Sequence, residues 1–223
     1  SITVALLFAI FIVILPISSM RGIEVSAFVP TVNTSMLVGE LIIATLLYSQ
    51  ASVFRSNALV LLASGYVVTG LLLIPHALTF PGAFAPDGLM GAGINTTAWL
   101  AQFRRVAFPI AIIAYIIMKR SDATRSAAAS PAANVYLAAS ASVVLAAGCT
   151  VLVTVGHSLL PQLFIDRMNV DHAALLLANF VTIAVTVAAI VALVRQTMSI
   201  LDLWLLVALA GWFIQTLLNF PLF

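Results

Sequence analysis

Six ionisable side chains stand within or at the ends of long apolar runs: Glu40, His76, Arg104, Arg105, His157 and Asp202. A carboxylate and a guanidinium sharing a low-dielectric layer can pair. Histidines that titrate near neutral pH can sense protons, ligate a metal or coordinate haem. The familiar reaction motifs (GxGxxG, P-loop, HExxH, CxxC, GxSxG) are all missing, so nothing assembles a hydrolytic or phosphoryl-transfer site. Neither a catalytic residue nor a metal site is assigned. The single cysteine, Cys149, lies in an apolar run, which rules out a disulfide within the chain and a cysteine-built metal site.

These side chains need elements that can hold charge inside an apolar setting. The 223 residues are 63% hydrophobic and only 7% charged, with a mean hydropathy of +1.21. Soluble domains carry roughly 25% charged residues. Such a chain cannot cover a water-exposed surface, so its first partner is the lipid bilayer. Its net charge of +2 gives no case for nucleic acid. Lipid offers no partners for open backbone groups, and the alternation of a barrel strand is missing, so the fold class is an all-α integral membrane bundle. Seven apolar segments approach the required length of about 20 residues: 1–19, 34–53, 57–75, 98–118, 134–156, 172–194 and 200–220. Ser1 to Ser19 lacks a basic leading region and does not read as a signal peptide.

Glu40 falls about six residues inside span two, and Arg104 and Arg105 about six inside span four, each roughly 9 Å deep. Either Glu40 pairs with one of the arginines across the bundle, or span four starts later and both arginines snorkel to the headgroups. His76 and His157 end spans three and five at the same level. Residues 75–86, with Pro75, Pro81, Pro86 and Gly82, read as a helix-breaking cap that keeps Phe80 and Phe84 apolar. That cap either closes over a cavity or only packs. Segment five, with Ala138 to Ser142 and Ala146 to Gly148, has the small-residue composition of a closely packed helix face. Asp171 suits the start of span six, and Asp202 the first turn of span seven, where acidic groups are favourable. Trp204 suits an interface.

Basic residues mark the cytoplasmic side. The polar stretch 119–133, with Lys119, Arg120 and Arg125, then lies inside together with Arg55 and Arg195. Arg21 and Arg167 stand on the other side. Five against two places the N-terminus in the cytoplasm and the 76–97 cap outside. Seven spans leave the C-terminus outside, so the chain is either a complete seven-helix bundle or a fragment that stops before another helix.

At several places the text resembles the MASE4 domain, a bacterial membrane-associated sensor module. The matching stretches are Leu46-Leu47-Tyr48-Ser49-Gln50, Leu62-Ala63-Ser64-Gly65-Tyr66, the whole of Pro75 to Pro86, Gly88-Leu89 and Gly91-Ala92-Gly93. They continue through Thr97-Ala98-Trp99-Leu100, Phe108-Pro109 with Tyr115, and Leu201-Asp202-Leu203-Trp204-Leu205. The resemblance implies an eighth helix in the complete module, followed by a cytoplasmic diguanylate cyclase (GGDEF) or histidine kinase domain through which the protein dimerises. It also implies the bacterial inner membrane. Two departures stand out. Arg104-Arg105-Val106-Ala107 occupies the place of the family's Trp-His pair, which weakens a bis-histidine haem site, and Glu40 replaces a frequent aspartate.

The expected function is a single membrane-embedded sensory module over 1–223, without catalysis of its own. A small-molecule or lipid-like ligand, anionic or amphiphilic, is expected under the cap between spans two, three, four and five. Its candidate binding residues are Glu40, His76, Phe80, Phe84, Arg104, Arg105 and His157. Asp202 and Trp204 are the candidate transmitters to the output domain. The alternatives are a haem- or quinone-binding electron-transfer subunit and a small secondary transporter. The latter would need polar residues along a whole path, and the inner half offers little beyond Gln50 and Asp202.

Overall fold

The computed structural model describes residues 2–14, 27–122, 131–166 and 169–218. They form α1 (Ile2–Ile14), α2 (Phe28–Phe54), α3 (Asn57–Thr79), α4 (Thr96–Asp122), α5 (Pro131–Thr154), α6 (His172–Val194) and α7 (Ile200–Leu218). A 3-10 turn at His157–Leu159 follows α5. Among the described residues, six helices, α2 to α7, are long and apolar enough to cross a membrane. The sequence suggested seven. α1 has 13 residues, about 20 Å of helix against a hydrocarbon core of about 30 Å. Residues 15–19, the rest of the first expected span, lie outside the described residues, as do Arg21, Arg125 and Arg167.

Long runs of Leu, Ile, Val and Ala become helices here because only an internal hydrogen-bond ladder satisfies the backbone in lipid. The hydroxyls scattered through them turn back on the same ladder. Thr45 donates to the Leu41 carbonyl, Thr186 to Thr182 and Thr216 to Trp212, at 2.7–2.9 Å. A threonine therefore crosses the apolar layer without an orphaned donor.

α3 and α4 are the central pair, about half buried along their spans (56% and 50%), while the other spanning helices are 17–33% buried. One cluster joins Leu62, Phe108, Ile112, Tyr115, Leu193, Leu205 and Leu209 from α3, α4, α6 and α7. A second joins Val68, Leu72, Leu100, Ala146 and Val153 from α3, α4 and α5. The tightest crossing is at Gly65, where an added Cβ would collide with the Cβ of Ala111. The small-residue face of α5 is narrower than its composition suggests. Ser142, Ala146 and Val153 are buried, whereas Gly148 meets nothing within 4 Å. Exposed side chains such as Ile42, Ile110 and Val144 give the bundle its lipid-facing surface.

The two ends of the bundle are tied differently. At one end Asp122, closing α4, accepts from the Ser56 hydroxyl at 3.0 Å and the Ala58 N–H at 2.9 Å. It thus caps α3 together with Ser56, the N-cap residue. Close by in sequence, Lys119 reaches Asp202 at the start of α7. Ser199 and Asp202 also cap each other: the Ser199 N–H donates to Oδ2 at 2.7 Å and the Asp202 N–H to the serine hydroxyl at 3.3 Å. This is a capping box with aspartate in the usual glutamate place.

At the other end the connection from α3 to α4 folds onto the segment after α5. α3 does not stop at Pro75. It runs on to Thr79, correcting the expected break, and the Thr79 hydroxyl donates to the Pro75 carbonyl at 2.8 Å. A proline is tolerated where neighbouring helices and hydroxyls re-satisfy the freed backbone. Beyond it the Leu89 N–H returns to the Leu78 carbonyl at 2.8 Å. Gly88, at φ 82°, sits where any Cβ would strike the Thr79 carbonyl. The cap is thereby pulled back onto the helix it leaves.

Candidate functional site

Charge is concentrated in one layer beneath this end. Arg104 on α4 donates from Nη2 to Glu40 Oε1 on α2 at 2.5 Å, with side chains 8% and 12% exposed. Of the two arginines considered from the sequence, Arg104 makes the pair. It lies deeper than expected because α2 and α4 begin before the expected spans: Glu40 is about 18 Å along α2 and Arg104 about 12 Å along α4. Trp212 of α7 covers the guanidinium, with Cζ 4.7 Å from the ring centroid. Cation–π contact offsets part of the lost hydration. The pair is incompletely satisfied, since Glu40 Oε2 and Arg104 Nε are buried without a hydrogen bond.

Arg105 lies one residue on and has a different environment. Its Nη1 donates to Gln102 Oε1 at 3.0 Å, and it forms no ion pair with any described residue. Its backbone carbonyl accepts from Trp212 Nε1 at 2.9 Å. Among the described residues, the layer thus holds two guanidinium groups and one carboxylate. A lone arginine at membrane depth costs roughly 3 kcal/mol on insertion scales.

Arg105 and Gln102 line a cavity of about 820 Å³, within the range of small-molecule sites. The walls come from the end of α3 (His76, Phe80), the cap (Pro81, Asp87, Ile94), α4 (Thr97, Ala98, Ala101) and the segment after α5 with α6 (Leu163, Phe164, Leu175). Asn95 holds that last wall in place. Its side-chain oxygen accepts from the Leu163 and Phe164 N–H groups at 2.9 and 2.7 Å, and its amide donates to the Phe164 carbonyl at 3.0 Å. Trp99 adds a bond from Nε1 to the Pro161 carbonyl at 3.0 Å. α6 then starts beneath its N-cap Asp171, which accepts from the Ala173 and Ala174 N–H groups.

The pocket differs from the expected one in its walls and in some of its residues. It lies between α3, the cap, α4 and α6, rather than between spans two, three, four and five. Of the expected ligand residues it gathers His76, Phe80 and Arg105. Glu40 and Arg104 are consumed by each other. Phe84 is an exposed cap residue, 57% accessible. His157 is exposed in the 3-10 turn, where its Nδ1 lies 3.3 Å from the Thr154 carbonyl. The two histidines do not share a site, and no group of three or more metal-ligating side chains occurs among the described residues. Gln102 and Asn33 escaped the sequence reading, since a neutral amide within an apolar run carries little signal. Asn33, buried on α2, donates from Nδ2 to His76 Nδ1 at 2.8 Å.

The expected transmitters also part company. Asp202 is fully buried and accepts from the Tyr115 hydroxyl at 3.0 Å, Lys119 Nζ at 2.5 Å and the Ser199 hydroxyl at 2.9 Å. Trp204 is 68% exposed. The tryptophan that joins α7 to the charged layer is Trp212.

The family model of MASE4, described as a membrane-associated sensor, integral membrane domain, matches residues 23–222. Comparison with curated proteins and with solved structures finds no match.

Proposed function

The chain belongs to the MASE4 family of integral membrane sensor domains, and from that premise we propose that it is the input module of a signalling protein whose ligand enters the pocket beneath the cap. The module, a single domain over 1–223, sits in the bacterial inner membrane with the cap outside and its N-terminus cytoplasmic, an orientation that requires the expected first span over 1–19 to cross before α2. It drives a cytoplasmic diguanylate cyclase or histidine kinase domain that follows an eighth helix beyond α7 and dimerises. The single observation that carries this reading is the pocket's position against Arg105. One face of that residue lines the cavity, and its carbonyl is bonded to Trp212 of α7.

Binding alone does not signal. The ligand must favour one arrangement of α4 against α7 over another, because equal affinity for both shifts nothing. α4 is suited to that task. It meets α2 through Arg104 and Glu40, and α7 at two levels, through Trp212 above and Asp202 below. A small movement of α4 under the cap is therefore felt by α7, the last described helix on the way to the output domain.

The test is made on the full-length protein in membrane vesicles, with cyclase product or autophosphorylation as the readout. Ala98→Trp, which fills the pocket, is expected to shift basal output several-fold. Ile110→Trp, on the exposed face of α4, leaves it unchanged. Equal output from the pocket variant and the wild type would overturn the site, and a gene with no cyclase or kinase domain beyond residue 223 would overturn the role.

A further inference from the structure

We infer that the pocket recognises an organic carboxylate: a single anionic head held by Arg105, Gln102 and His76, with an apolar body lying against Phe80, Ala98 and Leu175. The inference rests on the pocket being the sensor's ligand site and adds the chemical class of what fills it.

Three observations support it. Among the described residues, Arg105 carries the guanidinium of the buried layer that lacks a carboxylate, since Glu40 is taken by Arg104. Asp87, the carboxylate among the described lining residues, is not the ion-pair partner of Arg105. Gln102 is 4% exposed, and its Nε2 is buried with no hydrogen-bond partner while its Oε1 is committed to Arg105. Its amide is an orphaned donor at the pocket wall, and such a group is costly to leave unmade. His76 supplies the third donor. The Asn33 amide can only donate through Nδ2, so His76 Nδ1 accepts and the neutral ring keeps its proton on Nε2.

Three donor groups and a guanidinium without an ion-pair partner among the described residues thus line one pocket. The planar fork of arginine matches two carboxylate oxygens, and the donor count suits one head group. Apart from Asp87 and Thr97 the remaining wall is apolar, with Phe80, Pro81, Ile94, Ala98, Ala101 and Leu175. A free inorganic anion would leave that wall bare, whereas a carboxylate on a hydrocarbon body covers it. The same chemistry reaches the pocket from two sources, a water-soluble short acid or a long-chain fatty acid from the bilayer.

The experiment uses the chain in lipid nanodiscs and follows thermal unfolding and tryptophan fluorescence during titration. Octanoate is the water-borne probe, oleate in the disc lipid the membrane-borne one, and octanol the uncharged control. A saturable rise in Tm with octanoate or oleate but not octanol supports the carboxylate, and whichever acid acts identifies the source. Arg105→Gln is expected to weaken that binding at least tenfold, with Arg105→Lys intermediate. Gln102→Leu, which keeps the charge and removes the orphaned amide, should weaken it about fivefold. Should Arg105→Gln not fold, Gln102→Leu decides alone, and wild-type affinity in that variant refutes the assignment. No response to either acid, or equal response to octanoate and octanol, refutes it as well. If the acids fail while Ala98→Trp still shifts output in the full-length protein, the carboxylate is wrong and the pocket remains the sensor site.

Discussion

Lys119 and Asp202 meet 2.5 Å apart where the end of α4 crosses the start of α7. The carboxylate is fully buried while the lysine side chain is about one-third exposed, so the two partners are unequal. Asp202 also receives Tyr115 and both donors of Ser199. Replacing it with asparagine keeps one oxygen for the Tyr115 hydroxyl but sets an NH2 where Lys119 and both Ser199 donors bond, which undoes the capping box of α7. The expected loss is about 3 kcal/mol. Lys119→Gln removes only a partly solvated charge and should cost about 1 kcal/mol or less. Trp204→Phe, two residues on and exposed, should stay within about 0.5 kcal/mol. Thermal unfolding of the three variants in detergent gives the order, and a Lys119 variant as unstable as the Asp202 variant contradicts it.

The pair of Glu40 and Arg104 makes a stronger demand. Arg104 is buried and Glu40 nearly so, and Glu40→Gln therefore strands a guanidinium in the bilayer layer. Breaking a buried pair from one side costs on the order of 3–5 kcal/mol. Neutralising both partners, with Glu40→Gln and Arg104→Gln together, should recover part of that loss, because the remaining amides can bond each other. The coupling is read from a double-mutant cycle of unfolding free energies. Additive losses in the two single variants would mean that the contact does not stabilise the fold.

Two glycines separate close packing from backbone entropy. Gly65 faces Ala111 across the α3–α4 crossing with no room for a Cβ. Gly65→Ala must push the helices apart and should cost about 1–3 kcal/mol. Gly39 lies within α2 with nothing within 4 Å of an added Cβ. There, alanine should stabilise by up to about 1 kcal/mol, the helix-propensity difference. The opposite signs are the result to look for in paired melting curves.

These outcomes bear on how far the residues alone could take the reading. The buried ion pair was legible because a glutamate and two arginines interrupt apolar runs at matched depth, and lipid penalises each one alone. The bounds of α6, His172–Val194, were legible because Asp171 is an evident cap before an unbroken apolar run. The far wall of the pocket was not. Phe164 bridges to Val170, and Asn95 reaches across nearly seventy residues to hold Leu163 and Phe164. No local periodicity records such a contact. Pro75 misled for a different reason: proline removes one N–H from the ladder and crowds the preceding turn, yet a packed bundle can hold the helix through that loss. Here, the helix continues among its neighbours. His157 looked like a partner of His76 because both end spans at one level, but level along the membrane says nothing of position around the bundle.

Which end of the bundle faces the cytoplasm is set by charge. Contacts group Arg55, Lys119, Arg120 and Arg195 at the end where Asp122 caps α3 and Asp202 opens α7. The cap at 80–95 and the segment after α5 share the other end. Four cations at one end predict that it faces the cytoplasm. A cysteine at Arg120 should then react with a membrane-impermeant maleimide only in broken cells. One at Phe84, exposed in the cap, should react in intact spheroplasts. Both are placed in a Cys149→Ala background, since the native thiol is half-buried in α5. Labelling at position 120 from outside would invert the orientation and put the ligand pocket on the cytoplasmic face. The carboxylate would then reach Arg105 from within the cell.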